Sequence, residues 1–364
     1  MSRFSFFKSI VMIAAATGFA ACSSDEPENG GEKPGTDPSV PATSLFVINE
    51  GAFMQSNGSL SLYNTKTSTI SNDIFREANG FGPGDVVQSM TIDPANPYAW
   101  LVVNNSQVIF AIDPDTFEER GRIAGDIVSP RQMLFINESK AYVSQFYTDD
   151  IAVVNPKTFS ITGHIKYPIA EDASASTGEM VRVDEYVYVC CPNYNNAVLK
   201  VDTATDKVVD VCYPGIQPAH IVKDAYNHLW VICDGGYDGS PYGYEAPKLV
   251  LISTIDFEVK QEYTMNLGDY VSALAIDGTG ERLYWINGGV YTMTIDSPSL
   301  PDQPYIKADG YFYGITVDPD NGEIYVADAV DFSQPGRLLR YSKNGQELLS
   351  TVTTGVCPHA FCWK

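Results

Sequence analysis

Positive charge is scarce. The 364 residues carry 23 Lys and Arg against 45 Asp and Glu, a formal charge of −22, and only 4 His. A surface this acidic repels phosphodiester backbones and anionic lipid head groups, which are bound by clustered Lys and Arg, so nucleic-acid binding is excluded. Long apolar runs are also missing. The longest lies near the N-terminus and spans about 12 residues, short of the ~20 that cross a bilayer as a helix. There is no Cys-x-x-Cys pair, no Gly-x-Ser-x-Gly, no His-Glu-x-x-His and no Gly-rich phosphate loop. Zinc-knuckle, nucleophile-elbow, zincin and P-loop readings therefore have no motif to stand on. What the chain does have is 44% hydrophobic and 12% aromatic side chains, the composition of a folded protein.

The first residues read as an address. Arg3 and Lys8 precede an apolar stretch over residues 10–21, and small residues lead into Cys22. Residues 1–21 are expected to be a signal peptide and Cys22 a lipidation site, because the stretch resembles the lipoprotein signal family. Phe19 departs from that family's commoner Leu. Residues 22–43 are rich in Gly, Pro and Glu and read as a solvated spacer. The acidic run at Ser23 to Glu28 resembles the export signal of Bacteroidetes surface lipoproteins, which implies a lipid-anchored protein at the outer membrane facing the cell exterior.

From residue 44 to 364 one pattern recurs: a short apolar strand, a turn, a strand with a central aromatic, a loop, and a strand closing in Asp, Asn or Ser. The aromatic column is Phe46, Trp100, Tyr142, Tyr188, Trp230, Tyr284 and Tyr325. The closing column is Asn64, Asp113, Asn155, Asp202, Ser253, Asp296 and Ser342, recurring about every 46 residues, near the period of propeller blades. No long segment has helical periodicity with caps. The expectation is an all-β, seven-bladed β-propeller of four-stranded antiparallel blades. The chain starts at an aromatic-bearing second strand, and Ala360-Phe361-Cys362-Trp363 reads as an inner strand without partners, so the C-terminal strand is expected to complete the first blade. Tyr142-Val143-Ser144-Gln145 and Tyr325-Val326-Ala327-Asp328 resemble the bacterial propeller family with Tyr-Val-Thr-Asn-type repeats. That likeness covers most of the chain and speaks to architecture, not chemistry.

Beyond Cys22, the cysteines Cys190, Cys191, Cys212, Cys233, Cys357 and Cys362 are even in number and allow a disulfide or two, or buried free thiols. Asp318 to Glu323 looks like a calcium loop but lies between two strands of one blade and reads as a turn. His220 and His359 follow prolines at what look like equivalent points of two blades.

In a propeller, the loops between blades and those between second and third strands share one face. This gathers Glu50 to Met54, the Asp234 to Pro247 loop and the starts of the inner strands. The candidate ligand-binding residues are Phe53, Asn104, Arg131, Gln132, Gln145, Tyr147, Glu179, Tyr194, His220, Tyr237, Tyr242, Tyr244, Asn287, Tyr313, Phe332 and His359, with no catalytic residue and no resident metal or cofactor expected. Broad aromatic faces with neutral amides suit a large ligand studded with amides or hydroxyls. A propeller lipoprotein of this kind is similar to the cobalamin-capturing surface lipoproteins of Bacteroidetes. That resemblance implies vitamin B12 or another corrinoid as ligand and a TonB-dependent outer-membrane transporter as partner. Two alternatives stay open: a glycan-binding propeller, and a metal-dependent lactonase or lyase using Glu179, His220 and His359.

Overall fold

The structure is a computed structural model, which describes residues 44–169 and 174–364; the signal peptide, Cys22 and the acidic spacer lie outside them. Seven four-stranded antiparallel sheets follow one another along the chain. Blade 1 takes its second to outer strands from Ser44–Asn49, Ser59–Asn64 and Thr69–Ser71, and its inner strand from Pro358–Trp363. Blades 2 to 7 occupy residues 87–124, 130–166, 180–212, 218–264, 271–307 and 312–356. The last strand thus completes the first sheet and covers the edge that Ser44–Asn49 would otherwise expose. Among the described residues no helix is long and apolar enough to cross a membrane.

The burial pattern explains why these sequences make blades. Second strands such as Ala99–Val103 and Leu229–Cys233 are buried at every position, because both faces are covered by neighbouring blades. Outer strands such as Glu119–Ala124 alternate between exposed and half-buried, the period-2 signature of one wet face. The core is a ring of clusters between consecutive blades. Trp100 of blade 2 packs with Val143 and Val154 of blade 3, Trp230 of blade 5 with Leu274 and Trp285 of blade 6, and Leu45, Tyr63 and Phe361 of blade 1 with Tyr325 and Leu338 of blade 7. Every member of the aromatic column is at least nine-tenths buried.

The closing column turns the chain, as expected. Asn64 Oδ1 accepts the amides of Lys66 and Thr67, Asp113 Oδ1 those of Asp115 and Thr116, and Asp202 Oδ1 that of Ala204. Asp318 does the same for Asp320 and Asn321, so the calcium-like motif is a turn between the inner and second strands of blade 7. One short helix, Ile74–Asn79, bridges blades 1 and 2, burying Ile74 and Phe75 and ending on Gly80 in the left-handed region. The six described cysteines are buried free thiols.

Candidate functional site

Each inner strand carries one extra residue near its start. The registers skip Gln88, Arg131, Ala219, Ser272, Tyr313 and His359 in blades 2, 3, 5, 6, 7 and 1. In blade 4, Gly178 and Glu179 both bond to Cys190. Such bulges re-aim a side chain out of the sheet. In four blades the residue two positions earlier has a positive φ: Val86 at 56°, Ser129 at 42°, Gln217 at 56° and Cys357 at 55°. For a β-branched residue such as Val86 this is strain, of order 1–3 kcal/mol, held by the surrounding sheet.

Bulge residues and their neighbours build a buried polar floor around the axis. Arg131 Nη1 donates to Gln88 Oε1 at 2.8 Å, and the guanidinium lies 5.2 Å from the centre of the Phe146 ring. His359 Nε2 donates to the Gln88 carbonyl at 2.8 Å and lies 3.6 Å from Glu50 Oε1. Cys357 Sγ donates to Glu50 Oε2 at 3.3 Å. On the other side, His220 Nδ1 meets Glu179 Oε1 at 2.9 Å while the Ile221 amide donates to Oε2 at 2.9 Å. Among the described residues His220 Nε2 has no hydrogen-bond partner. Gln88, Arg131, Glu179, His220, Tyr313 and His359 are all at most 4% exposed.

Burial sets the charge of this floor. It pushes the Glu50 carboxyl up to about 7, against the pulls of the Cys357 thiol and the Arg131 cation. It pushes His359 down to about 3, so the imidazole is neutral. It also lowers the Arg131 guanidinium, which Glu50 pulls back up, and raises Asp234 to about 6. Burial thus works against the charged form of Glu50, Asp234, His359 and Arg131 alike.

Aromatic side chains climb from the floor to the rim. Tyr147, 57% exposed, sits edge-on to Phe146 at 4.6 Å. Tyr313 lies 6.1 Å from His359 and 5.1 Å from Phe332, Phe332 is 4.7 Å from Tyr311, and Tyr311 is 6.3 Å from Tyr270. Across blades 4 and 5, the Tyr194 ring lies 5.1 Å from Tyr242 and 6.5 Å from Tyr237. Tyr242 and Phe53 are exposed, and Tyr237, Tyr244, Asn287 and Phe332 are half-buried.

The predicted residues thus fall into three groups. Phe53, Tyr147, Tyr194, Tyr237, Tyr242, Tyr244, Asn287 and Phe332 belong to the rim. Arg131, Glu179, His220, Tyr313 and His359 form the floor. Asn104, Gln132 and Gln145 are committed elsewhere: Asn104 Nδ2 donates to the Pro130 carbonyl, Gln132 Oε1 accepts the Met180 amide, and Gln145 joins the Val128 amide to Asp150. The first two stitch neighbouring blades together, and the third ties its own blade to the connection before it. The two histidines are not equivalent. Pro218 and Pro358 share a register position, but Ala219 takes the bulge in blade 5, so His220 sits one place beyond His359's position.

Glu50 sits in a loop segment in the sequence, yet the structure buries it to 5% exposure. It shares the position after the second strand with Asn104, Phe146 and Asp234, and this repeat column is the signal that could have singled it out.

Residues 43–351 match the family described as "Domain of unknown function (DUF5074)". No curated protein is similar to the sequence at a significant level. Among solved structures, the Pseudomonas aeruginosa periplasmic gluconolactonase PpgL aligns with a TM-score of 0.65 at 13% identity, over 88% of this chain and 99% of its own. Kuenenia stuttgartiensis hydrazine synthase gives 0.58 at 16% identity, over 77% and 92%. The Myceliophteria thermophila Cps50 (Swd1) β-propeller domain gives 0.57 at 11%, over 78% and 95%. Likeness at these identities concerns the propeller fold alone.

Proposed function

The chain belongs to the DUF5074 family, and we propose that it captures a corrinoid of the vitamin B12 class on its loop face without transforming it. In this reading Cys22 is lipidated, residues 22–43 tether the propeller over residues 44–364 to the outside of the outer membrane, and a TonB-dependent transporter receives the ligand. The observation that carries the proposal is the pairing of a buried polar floor with an aromatic rim. A corrinoid is larger than the drug-sized molecules that enclosed pockets of ~300–1,000 Å³ take, and an open loop face suits it better. Exposed Tyr rings supply contact area at little entropic cost, and a corrin rim bears neutral amides whose polar edges the Tyr hydroxyls and loop backbone satisfy.

The hydrolytic alternative fits the donor set less well. Among the described residues, no three His, Cys, Asp or Glu side chains converge as a metal site. The Glu179 carboxylate already takes a hydrogen bond on each oxygen, and the Arg131 cation shares the floor that a divalent ion would occupy.

Single substitutions Tyr237→Ala, Tyr242→Ala and Tyr147→Ala are expected to weaken cyanocobalamin binding by about 0.5–1.5 kcal/mol each beyond lost contact area. Far-UV circular dichroism should not change, since these rings lie outside the blade cores. Unchanged affinity in all three would move the ligand off this rim.

A further inference from the structure

We infer that a second site, for a neutral polyhydroxylated ring, lies on the loop face at the outer part of blade 7. A cleft of about 570 Å³ opens there between the connection from blade 6 and the start of the third strand. Its base is Asp328, fully buried. Asp328 Oδ1 accepts the amides of Tyr311 and Val330 at 2.8 and 2.9 Å, and Oδ2 accepts Arg337 Nε at 2.7 Å and Arg337 Nη2. The guanidinium is thereby clamped on one side, and Nη1 has no protein partner among the described residues. Asp309, 65% exposed at the side chain, places Oδ1 3.7 Å from Arg337 Nη2. The Tyr311 ring, 36% exposed, forms a wall.

The cleft depends on two close approaches. A Cβ on Gly310 would stand 2.4 Å from Asp328 Oδ2, and one on Gly336 2.3 Å from Pro358 Cδ, so neither glycine can be exchanged without moving the wall.

Charge selects the ligand class. Asp328 and Arg337 cancel, and Asp309 leaves the cleft one unit negative, which opposes phosphate and carboxylate ligands, while Arg337 opposes cations. Vicinal hydroxyls on one ring satisfy both faces at once: one donates to Asp309, the next accepts from Arg337 Nη1, and the ring's C–H face lies on Tyr311. Free sugars and glycan residues offer this chemistry, whereas the ribose of a nucleotide-bearing corrinoid, phosphorylated beside its free hydroxyl, does not. The site stands with or without the corrinoid reading.

The test titrates the wild type, Asp309→Asn and Asp309→Ala against an array of neutral oligosaccharides and, as controls for the first site, against cyanocobalamin and dicyanocobinamide. Both variants are expected to lower the array signal by about tenfold or more, the scale of one charged hydrogen bond, and to leave both corrinoid titrations at wild type. The proposal is overturned if neither variant changes any interaction of the wild type, or if the wild type binds no sugar-bearing probe. Glycan binding through these residues with no corrinoid binding would leave this site standing and remove the corrinoid reading. Equal, variant-insensitive binding of both corrinoids with no glycan binding would do the reverse.

Discussion

Ending the chain at Cys357 is expected to abolish cooperative folding. The lost segment Pro358–Trp363 is the inner strand of blade 1, paired along Ser44–Asn49, and four of its six residues, His359 to Cys362, are at most 4% exposed. Removing the Phe361 side chain alone is worth about 3–5 kcal/mol. The truncation also strips the floor of His359 and uncovers the hydrogen-bonding edge beneath Leu45 to Ile48, an invitation to intermolecular pairing. Against a domain stability of about 5–15 kcal/mol, the sum exceeds what the remaining blades can supply. Size-exclusion chromatography and urea titration check this. The intact chain should elute as a compact species with one transition, and the truncated chain as aggregate or expanded material; an unchanged urea midpoint would contradict closure by the last strand.

Replacing Glu50 with Gln is expected to stabilise the protein by about 3 kcal/mol at pH 8 and to change little at pH 4. Burial holds the folded carboxyl at about 7 against 4.5 for the ordinary group, so the folded state binds this proton more tightly. The associated stability is fully present below pH 4.5, declines as pH rises through 7 and is constant above, at ~1.4 kcal/mol per unit. The substituted amide cannot titrate, yet keeps an acceptor for the Cys357 thiol. Arg131 of blade 3 and Tyr313 of blade 7 face the group from other blades, and His359 and Cys357 from the inner strand of its own blade and the residue before it. His359 has the opposite sense. Its folded value near 3 lies below 6.5, so its contribution is present above pH 6.5 and is lost as pH falls towards 3. The difference between wild type and variant isolates Glu50, and chemical denaturation from pH 4 to pH 8 measures it. Parallel curves would show that Glu50 titrates alike in the folded and unfolded states, contrary to its burial.

The fold was legible because its periodic residues act locally. Trp100, Tyr142 and Trp230 sit at the centre of strands buried on both faces, and Asn64, Asp113 and Asp202 bond to amides two or three residues on. Neither effect needs long-range information. The unpartnered strand at Ala360 to Trp363 was legible for the same reason, since a ring of period-46 units has one strand too many at one end.

The site was only half legible. Topology places Tyr194, Tyr237 and Tyr242 on one face, and their rings do meet. Residue type could not tell a ligand-facing amide from one that clamps a neighbouring blade, so Asn104, Gln132 and Gln145 joined the candidates although their hydrogen bonds are spent inside the protein. The bulges were invisible as well. Val86 at φ 56° has no sequence signature, yet that backbone and the bulge behind it aim Gln88 at the axis, and one inserted Ala219 shifts His220 out of step with His359. The burial of Glu50 follows from this geometry and not from composition.

The central claim is capture of a corrinoid on an aromatic rim above a closed floor. Isothermal titration calorimetry of the purified propeller, residues 44–364, with cyanocobalamin tests it most directly. One saturable site per chain is expected, with affinity reduced in Tyr237→Ala and Tyr242→Ala; the absence of heat with both cyanocobalamin and dicyanocobinamide, from a protein with a normal unfolding transition, would contradict it.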